Sequence, residues 1–231
     1  MSFATNQDIE ILKTSKLFNG VDDNLLLKSI KGSRILKLQR KESLFVLGSP
    51  ITSFAIILSG AVKLMRPTLN GENIIMHIAI TGEIIGGIVM NQGSLENYPI
   101  SAVAMIPCRI LSIPRSTFQS VWKNEIIFQT KLNTLLYRRM SNLQDDKTFF
   151  SSPLKVRLVM LLTRYLDKSH NENPYALVLP LTRQEIADSL GVAVESVIRI
   201  VSEWSREGII KTSDRVIEII NYEKLVVSAE L

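Results

Sequence analysis

The stretch from Leu181 to Trp204, LTRQEIADSLGVAVESVIRIVSEW, decides the fold. Thr182-Arg183-Gln184-Glu185 is a Thr-x-x-Glu capping box, in which hydroxyl and carboxylate satisfy the orphan amides of a helix start. Ile186, Ala187 and Leu190 give that helix an apolar stripe, and Gly191 supplies the backbone freedom for a tight exit. A second helix opens near Ala193. Val197, Ile200, Val201 and Trp204 recur in it at i, i+3, i+4 and i+7, which assigns one face to a core. Val194, Glu195, Ser196, Ile198 and Arg199 are then left near the helix start. A short helix, a glycine turn and a second helix with polar, outward side chains at its beginning form a helix-turn-helix, whose free face suits the major groove of DNA.

The blander reading is a pair of bundle helices with a solvated Glu195–Arg199 pair at i, i+4. The small Ala187 and Gly191 stand at the spacing a close helix crossing needs, which favours the motif. The sequel adds a hairpin: Ile209 to Thr212, a polar Ser213-Asp214-Arg215, then Val216 to Ile220. The expectation is a winged helix-turn-helix over residues 151–231.

Around this motif, a chain of 231 residues with 46% apolar content holds two modest domains, each able to bury a core. The net charge of +5 does not by itself argue for nucleic acid. Residues 152–231 carry ten Lys/Arg and eleven Asp/Glu, whereas residues 1–151 carry seventeen and eleven, so the excess lies outside the motif. Asp8, Glu10, Lys13 and Lys16 interrupt the start, and no membrane-length apolar run appears, so a cytoplasmic protein is expected. The single cysteine, Cys108, excludes an internal disulfide and cannot alone hold an iron-sulfur cluster.

Between about Leu17 and Pro114 the pattern is one of short β-type runs punctuated by Gly48, Gly60 and Gly82. Such spacing indicates an antiparallel jelly roll or barrel, here a sensor domain over residues 1–114. From Arg115 to about Phe150 the turn residues vanish and a long helix is expected. Phe128, Leu132, Leu136, Leu143 and Phe150 fit an approximate a/d seam, interrupted at Arg139 and Asp146. That seam either packs on the roll or joins two copies. The dimer is favoured, because two recognition helices would match a two-fold operator. Residues 115–150 are thus read as a dimerisation helix, and Ser151-Ser152-Pro153 as a hinge opening the helix Leu154 to Leu166. The fold class is α+β: β-roll, long helix, winged helix-turn-helix.

In this order the elements resemble the CRP/FNR family of bacterial transcription regulators. The resemblance spans nearly the whole chain. It is most specific in Thr182-Arg183-Gln184-Glu185-Ile186, Leu190-Gly191 and Glu195-Ser196-Val197-x-Arg199, with Ser59-Gly60, Asn70-Gly71 and Gly82-Glu83 at the family's turns. It implies a homodimer that binds double-stranded DNA, contacts RNA polymerase and answers to an effector. In the cyclic-nucleotide branch a glutamate accepts from the ribose and an arginine neutralises the phosphate. Here Gly86-Gly87 and Ile100-Ser101 occupy those places, with Gly87 for the glutamate and Ile100 for the arginine. A buried phosphate would lack its counter-charge. The iron-sulfur branch needs an N-terminal cysteine cluster that residues 1–30 do not contain.

Gly86, Gly87, Ile100 and Ser101 remain the expected lining of an effector pocket, suited to an uncharged ligand. No cofactor is evident. His77 or His170 as a haem ligand, with Asn97-Tyr98-Pro99 resembling the nitric-oxide-responsive branch, is a minor alternative, since a packed strand histidine and a solvated loop histidine are the commoner cases. Cys108 reads as a small buried hydrophobe before a redox thiol.

On the reading helix, Arg199 is expected to bond guanine O6 and N7, with Glu195 accepting from a cytosine and steadying the arginine. Val194 and Ile198 favour thymine methyls, giving a half-site closer to TTGA than GTGA. Thr182 and Arg183 are expected to hold phosphates. The competing class is a ligand-binding module that acts on protein partners without reading DNA, which predicts a degraded recognition face. An enzyme is not indicated: nucleophile-elbow, zinc-protease and P-loop motifs are missing and two histidines leave little acid–base capacity.

Overall fold

The computed structural model describes residues 5–69, 71, 73–90, 96–166, 181–213 and 216–229. The chain divides into two compact units, Met1–Ser141 and Asn142–Leu231. In the first, α1 (Asn6–Thr14) and α2 (Asp23–Ser29) precede β1 (Arg34–Leu38), β2 (Ser43–Phe45), β3 (Ser53–Ser59), β4 (Ala61–Pro67), β5 (Asn73–Ile80) and β6 (Ile84–Ile85). A short α3 (Gly87–Met90), β7 (Ser101–Ala104) and β8 (Cys108–Pro114) complete the roll. The turn α4 (Arg115–Thr117) and a π-type turn Phe118–Trp122 lead into α5 (Ile126–Phe150). The helix thus starts eleven residues later than the pattern suggested, because Lys123 to Glu125 close a break held by the Phe118 and Val121 carbonyls.

Two antiparallel four-stranded sheets, in orders β1-β8-β3-β6 and β2-β7-β4-β5, face each other as a jelly roll. Each strand of the first sheet alternates between two cores. Ala55, Ile57 and Ile110 point between the sheets, towards Val62, Leu64, Ala102 and Ala104 of the second. Phe54, Ile56, Leu58, Leu111 and Ile113 point outward, under α1, α2 and the start of α5. Burial on both faces is why β3 reads as an unbroken apolar run instead of an alternation.

Sequence reading missed β1, β6 and both N-terminal helices. Helix α1 is short and polar, but it is pinned twice. Thr5 forms a capping box with Asp8, and Arg109 on β8 sets a guanidinium nitrogen 2.9 Å from Asp8 Oδ1 and donates to Oδ2 at 3.1 Å. Burial pushes the Asp8 carboxyl up, yet donation from the Thr5 amide and hydroxyl and the Arg109 charge outweigh it, leaving the pKa below the ordinary aspartate value.

The outer core is aromatic. Trp122 stacks on Phe128 at 4.3 Å, meets Phe54 edge-on at 4.8 Å and donates its indole N–H to the Ser29 carbonyl at 2.8 Å. This corrects the expected seam at its first two positions. Phe128 and Leu132, 0% and 1% exposed, are covered by their own roll and offer nothing to a second copy. Each contributes about 1.5–3 kcal/mol to the unit by burial. Leu136 is half-buried, while Tyr137 and Met140 stand exposed beside it. The side chains of Leu143 and Phe150 lie outside the described residues.

The second unit holds α6 (Leu154–Leu166), α7 (Arg183–Leu190), α8 (Val194–Arg206), β9 (Ile210–Ser213), β10 (Val216–Ile219) and α9 (Tyr222–Val227). The Pro153 carbonyl accepts the Arg157 amide, so Pro153 caps α6. Strands β9 and β10 pair antiparallel from Ser213↔Val216 to Ile219↔Ile210, the expected wing. Its turn, Asp214-Arg215, lies outside the described residues, as do Asn70 and the loop containing His170.

Candidate DNA-reading surface

Helix α7 is built by its ends. Thr182 caps it, accepting from the Glu185 amide at 3.1 Å while its own hydroxyl and amide donate to Glu185 Oε2 at 3.0 Å. Gly191 closes it in the left-handed region at φ 62°, where an L side chain would be strained. The Arg157 guanidinium, pushed below its ordinary pKa by burial, donates to the Leu190 carbonyl at that same end. With both termini satisfied, the eight-residue α7 is a rigid support whose Ile186, Ala187 and Leu190 are buried.

Helix α8 crosses it on that support. Val197, Ile200, Val201 and Trp204 are all buried, at most 4% exposed, so the helix cannot rotate without opening the core. Its opposite face is open. Glu195 and Arg199 are exposed, Ile198 is 47% exposed, and Val194 and Ser196 are half-buried at the rim. Among the described residues neither Glu195 nor Arg199 has a protein partner. The expected Glu195–Arg199 pairing is therefore not made here, and both side chains are free for a ligand. Ala193 caps α8 without a side-chain bond, its carbonyl accepting the Ser196 amide at 3.1 Å.

Two supporting residues separate. Arg183 is half-buried beside an open cleft of about 250 Å³ that Ser202, Ser205, Arg206 and Thr212 also line. Thr182 differs from expectation: its hydroxyl proton is committed to Glu185, which leaves it no side-chain donor for a phosphate. Sequence reading missed Ser202 and Arg206. The signal was available, since they continue the Glu195–Arg199 stripe at i+7 and i+11.

In the roll, the expected effector residues serve turns and packing. Gly86 turns the chain at φ 79° and opens α3 with Gly87. A Cβ on Gly87 would sit 2.4 Å from Ile84 Cδ1 and 3.5 Å from Leu132 Cδ2. A side chain at position 87 would thus have to displace the end of Ile84. Ile100 packs against the inter-sheet core, and the Ser101 hydroxyl accepts the Leu47 amide at 2.9 Å. Just outside, His77 Nε2 lies 2.9 Å from Glu83 Oε2, and Arg139 of α5 donates to the Ile84 carbonyl at 3.3 Å. Burial lowers the Arg139 pKa while the Glu83 charge opposes it. Tyr98 is buried, stacks on Phe45 at 3.8 Å and donates to the Ser53 carbonyl.

Cys108 is buried, its thiol donating to the Ala61 and Ile106 carbonyls, and burial raises its pKa, so it is held as the thiol. Among the described residues no three His, Cys, Asp or Glu converge as a metal site, and no helix is long and apolar enough to cross a membrane.

A jelly roll followed by a long helix and a winged helix-turn-helix with an open reading face defines a DNA-binding regulator. Residues 156–227 match the Crp-like helix-turn-helix domain and residues 35–125 the cyclic nucleotide-binding domain. The transcriptional activator protein FnrA of Stutzerimonas stutzeri is 26% identical over 212 residues, 88% of this chain and 82% of its own. The nitrogen fixation regulation protein FixK of Bradyrhizobium diazoefficiens is 25% identical over 203 residues, 86% and 83% of the two chains. In fold, FixK2 from Bradyrhizobium japonicum is similar at a TM-score of 0.73 with 19% identity, covering 84% of this chain and 96% of that one. The chain belongs to the CRP/FNR family of transcription regulators, and its C-terminal unit carries the family's DNA-binding helix-turn-helix.

Proposed function

We propose that this regulator is a cytoplasmic homodimer that reads an inverted-repeat operator through Glu195 and Arg199, under a signal other than cyclic AMP. The carrying observation is the open stripe of α8: two unpartnered charged side chains one turn apart, on a helix whose other face is locked in a core. A free guanidinium can bond guanine O6 and N7, and a free carboxylate can accept from the cytosine amine of the neighbouring pair. Val194 and Ile198 favour thymine methyls, so the half-site is closer to TTGA than to GTGA. Ser196 lies at the rim of the same surface, and Arg183 holds a phosphate.

In this reading the roll of residues 1–114 senses, the part of α5 beyond Leu132 dimerises and residues 151–231 bind DNA and bring it to RNA polymerase. The dimer seam runs through Leu136, Leu143 and Phe150 and gains the exposed Tyr137 and Met140. A signal other than cyclic AMP is supported by Gly87, which brings no carboxylate to a ribose, and by Ile100, which brings no charge to a phosphate. The test is competition binding of the full chain to paired TTGA and GTGA operators, with calorimetric titration of cyclic AMP alongside. Preference for GTGA, or a stoichiometric micromolar isotherm, would overturn the respective half of the proposal.

A further inference from the structure

At the end of the roll where β1, β8 and β3 lie side by side, a cleft of about 460 Å³ opens between the two sheets. The residues expected to meet an effector, Gly86, Gly87, Ile100 and Ser101, are not among its walls. Its chemistry is set by one cross-strand row. Arg34 on β1 is in register with Ser112 on β8, and Ser112 with Ala55 on β3, so the three side chains share the face towards the cleft. Ser53, two residues before Ala55, shares that face.

Ser112 is 4% exposed, and among the described residues its hydroxyl has no protein partner. The hydroxyl oxygen itself opens on the cleft, where it can bond a ligand. Arg34 is exposed and, among the described residues, carries no partner either, and no described carboxylate lines the cleft. One wall is aromatic and rigid: Phe45 lies flat on Tyr98, 3.8 Å between centroids and 5° between planes, and the Tyr98 hydroxyl is tied to the Ser53 carbonyl. Leu36 adds an apolar side.

We propose that this cleft is a binding site for a small aromatic carboxylate. The Arg34 fork takes the carboxylate, the Ser112 and Ser53 hydroxyls add neutral donors, and the ring lies against Phe45 and Leu36. A single cation among neutral donors matches one negative charge, which favours a carboxylate over a doubly charged phosphate ester. The size of the cleft is that of small-molecule sites, whose usual make-up is an apolar wall with a few convergent polar groups. The site is independent of the DNA reading, because it is read on the free protein.

The test is calorimetric titration of the full chain with indole-3-acetate, with phenyl phosphate and with the neutral indole-3-ethanol. Indole-3-acetate is expected to bind saturably, one per chain, and each of the other two about tenfold or more weakly. Arg34→Gln should remove the advantage of the acid over the alcohol, Arg34→Lys should restore part of it, and Ser112→Ala should weaken binding about threefold. Arg66→Gln, an exposed arginine on β4 outside the cleft, should change nothing. Arg34 is exposed and unpaired, so its variants should melt with the parent. Absence of saturable binding by the acid overturns the proposal. So does an Arg34→Gln variant that binds it as the parent does, and tighter binding of phenyl phosphate overturns the assignment to a carboxylate.

Discussion

Helices α5 and α8 read alike in the sequence, each a polar helix with one apolar stripe, and the structure uses the stripes differently. In α8 all four stripe residues enter the unit's own core, and the remaining face is free for DNA. In α5 the stripe is divided. Phe128 and Leu132 are absorbed by the roll, while Tyr137 and Met140, beyond the half-buried Leu136, stand open. Periodicity reports that a face is buried. It does not report what buries it, because a neighbouring sheet and a second copy impose the same 3.6-residue repeat.

The sharpest way to break this contrast is to truncate Phe128. Phe128→Ala removes a ring stacked on Trp122 and should cost about 3–5 kcal/mol in urea unfolding. Tyr137→Glu with Met140→Glu should leave the melting of the roll almost unchanged and shift sedimentation to the monomer. If Phe128→Ala instead dissociates the protein without destabilising it, the seam begins where the heptad alone would start it.

On α8 the expected effect is on binding and not on folding. Arg199→Ala should cost about 1–3 kcal/mol on the specific operator and relax preference at the guanine, with no change in melting temperature. Unchanged sequence preference would mean that the open face is not the reading face.

The comparison also explains what was legible. The recognition helix was, down to Gly191 and the buried quartet, because capping, turn and stripe are all local signals. The long-range facts were not. Strand β6 is two residues long, β1 carries Arg34 and Lys37 on a partly solvated edge, and α1 shows little apolar pattern. Each is fixed by partners far along the chain, as Asp8 is by Arg109, 101 residues away. Gly87 was half legible: the sequence showed a residue with no carboxylate, and only packing showed that it lies against the end of Ile84. The commitment of the Thr182 hydroxyl was implied by the very capping box that located the helix.

Helix α1 is a third case, held by charge as well as by the buried Leu12, and its dependence on pH distinguishes it from the other two. The Asp8 carboxyl titrates below its unfolded value, so its stabilisation is complete above about pH 4 and is lost as pH falls through the lowered native value. Asp8→Asn should cost about 1–2 kcal/mol at pH 7, a buried pair discounted for a half-exposed Arg109. The gap between parent and variant in urea midpoints should close below pH 4. A constant gap would assign the effect to packing.

The smallest expected effect probes how far the reading face of α8 extends. Arg206 lies eleven residues after Glu195 on the same stripe and shares the cleft of Arg183, Ser202 and Thr212, where hydroxyls and two cations converge without a carboxylate among the described residues. That composition suits a backbone phosphate, whose contacts add affinity but no sequence preference. Arg206→Ala should weaken all DNA sequences alike, by about 1 kcal/mol or less at moderate salt, and reduce the slope of log affinity against log salt by about one. Arg183→Ala should do the same, and Thr182→Ser, which keeps the cap, should do neither. If Arg206→Ala leaves the slope unchanged while Arg183→Ala lowers it, the DNA leaves α8 before its last turn, and the reading face ends near Arg199.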